Sequence, residues 1–342
     1  MPYSIQEHVD IAPYSSFHIG DKVRWLSEIN NTDDIPSLVS EIKKLKAEIY
    51  ILGEGCNTIF GDTHCLPYFI IHMNNVGIET VSEDETSTVL KVQAGHSWDN
   101  FVEYAVNQHL SGIEALSAIP GSTGAAPVQN IGAYGQEVCQ TITRIHAYDL
   151  QGDGWVVLKN IDCAFSYRNS IFKTSHKNRY IITAIEFRLS KLQPAVPNYP
   201  DVRKYFENVK VPKLPEIRKA IIDIRSRKLP DPKVLFNVGS YFENVLVDVE
   251  VATSLQHNHP DIPVFDTDKP RQKKIPTAWL IDQCGLKGKS FGSITIYNHN
   301  ALVLTNNGKG TFNELRHVEN FISDAVYKKF KLRINREPNI LS

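Results

Sequence analysis

The chain has 342 residues, more than one domain usually holds, so two or three domains are expected. A formal net charge of -1, with 22% charged and 42% hydrophobic residues, is that of a soluble globular protein and carries no basic excess for nucleic acid. No stretch approaches the roughly 18 apolar residues of a membrane span. The opening Met1-Pro2-Tyr3-Ser4-Ile5-Gln6-Glu7-His8 lacks the basic-then-apolar layout of a signal peptide. Cys56, Cys65, Cys139, Cys163 and Cys284 are scattered and odd in number, which points to reduced thiols in a cytoplasmic protein and away from structural zinc.

In chain order, the first third alternates strands and helices. Val23-Arg24-Trp25-Leu26 reads as a strand, and Thr32 or Asp33 is expected to cap a helix from about Pro36 with Leu38, Ile42 and Leu45 on one face. Ile49-Tyr50-Ile51-Leu52 is a strand that turns sharply at Gly53-Glu54-Gly55-Cys56-Asn57. Phe69 to His72 and Val89 to Ala94 are further strands, and Ser97 caps a helix with Trp98, Phe101, Val102, Ala105 and Val106 as its stripe. A first subdomain is expected over 1–110. Over 111–192 the pattern turns β-rich, with Ile142 to Tyr148, Gly154 to Leu158 and Tyr180 to Phe187 as strands and a hairpin turn at Asp149 to Gly154. Beyond the proline-rich Leu192 to Pro197, a second α/β unit is expected over 193–342. Pro215 opens one helix, Thr277 caps another that Gly285 ends, and Ala301 to Leu304 is a strand. Thr311 with Glu314 forms a capping box for a last helix bearing Leu315, Val318, Ile322, Val326 and Phe330.

The run Pro120 to Gly135 is nearly free of charge and built from small residues. Too small for a core helix and too uncharged for a surface loop, it must bring its backbone close to a ligand. With Gly53 and Gly55 it makes two glycine clusters, and neither is a Gly-x-Gly-x-x-Gly or P-loop fingerprint. A dinucleotide lying between two subdomains fits the pair better than a mononucleotide. Arg168, in Phe165 to Lys173, has the rigid fork that suits a carboxylate, although an ordinary surface ion pair would explain it equally. Ser240 follows a glycine before aromatics without a Gly-x-Ser-x-Gly elbow, and Glu337 lies between a helix and the chain end. No His-Glu-x-x-His is present, so no metal is expected.

Several stretches together resemble the UDP-N-acetylenolpyruvoylglucosamine reductase family over nearly the whole chain. They are Leu52 to Asn57, Ile119 to Gly135, Tyr167 to Lys173, Lys228 to Lys233, Gly239 to Asn244 and Trp279 to Cys284. The resemblance implies an α+β fold: an FAD-binding module of the vanillyl-alcohol-oxidase type in two subdomains, then a C-terminal α/β domain for the substrate. It implies that NADPH reduces a non-covalent FAD, that hydride then passes from flavin N5 to C3 of UDP-N-acetylglucosamine enolpyruvate, and that a proton is added at C2. The product would be UDP-N-acetylmuramate, a precursor of peptidoglycan, which ties the chain to wall synthesis, cell shape and division. Carried over by position, Ser240 is the proton donor, Arg168 meets the substrate carboxylate and Glu337 is the C-terminal catalytic glutamate. Gly53, Gly55, Asn57, Gly121, Ser122, Gly124, Asn130, Ile131 and Gly135 are the flavin candidates, and Tyr199, Lys228, Asn244 and Asn300 those for the UDP part.

This chain departs from the family pattern at Tyr241, Glu243 and Val245, where Phe, a basic residue and Pro are usual, and at Asn300, where Gln is common. Glu337 sits on a short tail. Two other readings stay open: a flavin-dependent alcohol or sugar oxidase of the same fold, and a flavin-binding protein without catalysis. The sequence gives neither the oligomeric state, for which a monomer is the working expectation, nor the preference for NADPH over NADH. The expected partner is a small UDP-sugar, with neither nucleic acid nor membrane.

Overall fold

Between Ile181 and Phe187 every side chain is buried, a run that only a strand covered on both faces can hold. In the computed structural model, which describes residues 3–209, 211–267 and 269–342, Tyr180–Ser190 is the middle strand of a five-stranded sheet. Its order is Gly154–Lys159, Ile142–Asp149, Tyr180–Ser190, Ser87–Gln93, Ile78–Glu83, with every pair antiparallel. The expected hairpin at Asp149 to Gly154 joins its first two strands. A second sheet runs Gln6–Asp10, Lys22–Ile29, Leu66–Met73, Glu48–Leu52, and its last two strands are parallel.

Helix α1 (Ile35–Leu45) buries Ile35, Leu38, Val39 and Ile42, and α2 (Trp98–Asn107) buries Trp98, Phe101, Val102, Ala105 and Val106. Both faces enter one core with Phe69, Ile71, Ile145, Ile185 and Phe187. The expected cap of α1 is displaced: Thr32 and Asp33 lie in a short 3-10 turn, which the Asn31 side chain caps by accepting from the Asp33 amide. Helices α3 (Pro200–Tyr205) and α4 (Leu214–Lys228) bring Val202, Phe206, Ile217, Ala220 and Ile221 against Ala115 in a smaller core.

By contacts the chain divides into two units. The first is residues 3–9, Val23–Gly55 and Pro67–Ser226; the second is Asp10–Lys22, Cys56–Leu66 and Arg227–Ser342. The sequence placed divisions at 110/111 and 192/193. The contact grouping instead keeps 193–226 with the first unit, because α3 and α4 share that smaller core and Arg218 of α4 pairs with Asp99 of α2.

In the second unit Phe236–Ser240, Val303–Asn306, Ile294–Ile296 and Ser290–Phe291 form one sheet, and Val245–Asp248, Gln272–Ile275 and Phe265–Asp266 another. Helices α5 (Val249–Asn258), α6 (Thr277–Gln283) and α7 (Phe312–Phe330) complete it. The capping box forms as expected, with Thr311 Oγ1 accepting from the Glu314 amide and the Glu314 carboxylate accepting from the Thr311 amide. Two local expectations shift. Thr277 is the first residue inside α6 rather than its cap, because its hydroxyl donates to the Glu243 carbonyl at 2.6 Å. The strand expected at Ala301 runs Val303–Asn306, because Asn300 makes a turn that takes the Leu302 and Val303 amides. Phe17, Ile19 and Ile59 join the core of Phe242, Leu304, Leu315 and Ile322, which draws the early segments into this unit. Among the described residues, no helix is long and apolar enough to cross a membrane.

Candidate functional site

In the first unit the two glycine clusters meet. A Cβ on Gly53 would lie 2.0 Å from Ser122 Oγ, and one on Gly124 would lie 2.6 Å from the Ala94 Cβ. Only glycine lets these backbones touch. The Gly121 amide donates to Glu54 at 3.2 Å, the Gly124 amide to the Ala94 carbonyl at 2.7 Å and the Ile131 amide to the Ala126 carbonyl at 3.0 Å. Gly55, Gly121 and Gly135 serve conformation instead, with φ of 66°, 127° and 88°. The run is thus a sequence of tight turns laid on the end of Ser87–Gln93, with Ser122 bridged to Ser97. Asn57 falls in the second unit, where its carbonyl accepts from the Asn339 amide at 2.9 Å.

Asn130 is wholly buried at φ 47°, and its side chain is spent within the protein. Its Nδ2 donates to Glu137 at 2.9 Å and to the Ser166 carbonyl at 3.1 Å, while Oδ1 accepts from the Cys139 amide at 3.1 Å. Asn130 therefore braces the run, and its own amide donates to the Pro127 carbonyl at 3.3 Å. Arg168, half-buried at φ 51°, donates through Nη2 to the Gly132 carbonyl at 2.7 Å, and Lys173 Nζ donates to its carbonyl at 3.0 Å. The carboxylate-binding candidate is thereby tied to the glycine run itself. Tyr199, 40% exposed at the start of α3, packs edge-on against Tyr134, with ring centroids 5.2 Å apart.

Two groups near this run were not singled out in the sequence. Arg225 on α4 has its Nε enclosed with no hydrogen-bond partner. Burial pushes its pKa down, Tyr134 and Asp99 push it back up, and Arg168 lowers it further. A buried donor left unsatisfied costs about 1–3 kcal/mol, so such an atom is expected to meet a ligand oxygen. His96 Nδ1 is enclosed and unpartnered in the same way, and burial lowers its pKa, so its ring is neutral at pH 7. Its carbonyl accepts from the Thr123 amide at 2.8 Å and from the Thr123 hydroxyl at 2.9 Å. In the sequence Arg225 follows Ile221 by four residues and so shares its apolar helix face, a spacing that marks it as a charge among buried neighbours.

In the second unit Ser240 ends Phe236–Ser240, where the register against Val303–Asn306 slips between Asn237 and Ser240. Gly239 supplies the bend at φ 73°, and its amide donates to Asn237 Oδ1 at 2.9 Å. Bulges of this kind re-aim the side chain that follows. The tail comes to the same place. The Glu243 amide donates to the Asn335 carbonyl and the Glu337 amide to the Tyr241 carbonyl, both at 2.9 Å, and Phe242 bridges Arg336. Asn339–Leu341 then pairs in parallel with Thr58–Phe60. Glu337 is half-buried and held on both sides, so the tail is an ordered part of the unit. Asn244 Oδ1 accepts from the Thr277 amide at 3.2 Å and Asn300 Oδ1 from the Leu302 amide at 3.1 Å, which orients both amide groups. Lys228 is exposed at the end of α4, and Val245, in place of proline, enters a strand opposite Ile275.

Residues 231–341 match the family model for the C-terminal domain of UDP-N-acetylenolpyruvoylglucosamine reductase, and residues 26–157 match an FAD binding domain. A UDP-N-acetylenolpyruvoylglucosamine reductase of Polynucleobacter asymbioticus is 37% identical over 340 residues, covering 99% of this chain and 97% of that relative. The chain belongs to the UDP-N-acetylenolpyruvoylglucosamine reductase family. A further relative of that name in Bacteroides fragilis is 35% identical over 337 residues, covering 98% of this chain and all of the relative. The solved reductase of Thermus caldophilus is similar in fold, with a TM-score of 0.68 at 17% identity over 99% of this chain and 100% of that one. The expected architecture, an FAD-binding module followed by the reductase C-terminal domain, is borne out.

The residues of the first unit fit FAD. A Cβ on Gly121 or Gly135 would meet nothing within 4 Å, which leaves open space along the run, and the enclosed Arg225 Nε needs an acceptor that the chain does not supply. For the other family positions, Arg168 lies in the first unit and Ser240, Asn244, Asn300 and Glu337 in the second.

Proposed function

We propose that this chain is a cytoplasmic enzyme that reduces UDP-N-acetylglucosamine enolpyruvate to UDP-N-acetylmuramate at the expense of NADPH. The hydride chemistry belongs to FAD when it is bound. What the chain's own residues do follows from the charge that hydride addition leaves. A hydride at C3 of the enolpyruvyl group puts negative charge at C2, delocalised into the carboxylate. The Arg168 guanidinium stabilises that end, and its hold on the Gly132 carbonyl limits how far it can stray. Ser240 donates its hydroxyl proton to C2. A carbanion-like carbon is a strong enough base to take it without any acidification of the hydroxyl. Glu337 orients and polarises the same end of the substrate. Tyr199, Lys228, Asn244 and Asn300 take the UDP part, the two asparagines through amide groups already turned by their own hydrogen bonds.

The observation that supports the reading most is the binding of the Ser240 strand and the Glu337 tail into one piece of backbone. An anaerobic record of the flavin absorbance tests it. NADPH should bleach the band, and UDP-N-acetylglucosamine enolpyruvate should restore it without oxygen. Bleaching without restoration by the enolpyruvate would remove the assignment. Bleaching by a simple alcohol or sugar in place of NADPH would favour the oxidase reading.

A further inference from the structure

Tyr241 is the residue after Ser240, and Arg336 is the residue before Glu337. Both reach the same buried carboxylate. Tyr241, fully buried, donates its hydroxyl to Glu319 Oε2 at 2.8 Å, and Arg336 Nη1 donates to Glu319 Oε1 at 3.0 Å. Arg316, one turn earlier on α7, also donates to Glu319. Glu319 is 9% exposed in the middle of a 19-residue helix, so it is a rigid anchor. Burial and the adjacent Glu319 charge both push the Tyr241 pKa up, which keeps the phenol protonated and donating.

A carboxylate so enclosed is tolerable only when its acceptor sites are filled, and a filled buried network fixes geometry more firmly than apolar packing does. The backbone bond from the Glu337 amide to the Tyr241 carbonyl sets the spacing of the two segments, and Glu319 sets their orientation on α7. The tyrosine hydroxyl stands where the family pattern has phenylalanine. We propose that Glu319 is a positioning residue for proton delivery, aligning Ser240 and Glu337 through Tyr241 and Arg336. This inference rests on the assignment of Ser240 and Glu337 above.

The test uses the FAD-loaded full chain and separates the two half-reactions. Glu319→Gln and Tyr241→Phe are expected to keep the flavin spectrum and to be reduced by NADPH within twofold of the wild-type rate. Reoxidation by UDP-N-acetylglucosamine enolpyruvate should slow about tenfold for Glu319→Gln and about threefold for Tyr241→Phe. The loss should lie in the limiting rate, with the substrate concentration at half-saturation unchanged. In the Ser240→Ala background Glu319→Gln should add no further slowing, because residues acting as one unit are not additive. Wild-type reoxidation in both variants, alongside a slow Ser240→Ala, overturns the positioning role alone. A Ser240→Ala protein that reoxidises at the wild-type rate overturns the underlying assignment instead. Equal slowing of both half-reactions reduces Glu319 to a structural ion pair, and if Glu319→Gln does not fold, Tyr241→Phe decides.

Discussion

Replacing Asp99 by alanine should strongly destabilise the first unit. Arg218 is 9% exposed and donates to both oxygens of Asp99, at 2.6 and 3.0 Å, while the Ala118 amide donates to one of them at 2.6 Å. Burial pushes the Asp99 pKa up, but the Arg218 guanidinium and the Ala118 amide outweigh it and hold the group below its ordinary value. Removing the acceptor leaves the buried guanidinium with only Glu103, at 3.9 Å, a change that costs about 3–5 kcal/mol. At about 2–4 °C per kcal/mol for a unit of this size, the unfolding midpoint should fall by about 6–20 °C. Thermal melts followed by circular dichroism, on protein with and without FAD, would read it. The double variant Asp99→Ala/Arg218→Met removes both charges and should recover most of the loss. A single-variant cost below about 1 kcal/mol would make the pair an ordinary surface bridge and refute the reasoning. So would a double variant no more stable than the single one.

Three further outcomes are expected. Ser240→Ala should leave reduction by NADPH nearly intact and slow reoxidation by the enolpyruvate by about 3 powers of ten, read by anaerobic stopped flow. Equal slowing of both steps would remove its role as proton donor. Gly53→Ala, whose Cβ would meet Ser122 Oγ at 2.0 Å, should weaken FAD retention at least tenfold by flavin fluorescence while the rest of the fold survives. Normal retention would show that the two clusters can separate at little cost. Asp149, paired with Arg179 at 2.7 Å, has its pKa pulled down to about 2, chiefly by that hydrogen bond. Its folded value lies below its ordinary value of 3.8, so its contribution is complete above that pH and is lost as pH falls toward 2. Asp149→Asn should flatten the acid-unfolding curve between those limits, and an unchanged curve would assign acid lability to other carboxylates.

Local chemistry was legible in the sequence. The Thr311 capping box, the stripe of α2 and the turn at Asp149 to Gly154 all rest on residues near one another in the chain. What depends on distant partners was not. Thr277 looked like a cap until the Glu243 carbonyl claimed its hydroxyl, and Arg225 was not singled out, because the lack of an acceptor for its Nε depends on what packs around α4. Nor does any periodicity in Asn339–Leu341 announce that its partner is Thr58–Phe60. Where candidate residues were picked by family position, the backbone around them shows how each is fixed: Gly239 and the bulge turn Ser240, and Asn130 braces the run whose Gly132 carbonyl accepts from Arg168.

The second unit is woven from three stretches of chain, and its last stitch is the pairing of Asn339–Leu341 with Thr58–Phe60. During synthesis the early stretches leave the ribosome long before the strand that completes their sheet exists. Ile59 and Phe60, both fully buried in the finished protein, must wait without their partner. Folding of this half therefore waits on late-made residues and is rich in distant contacts, the condition under which chains fold slowly and are most open to capture by chaperones or by one another.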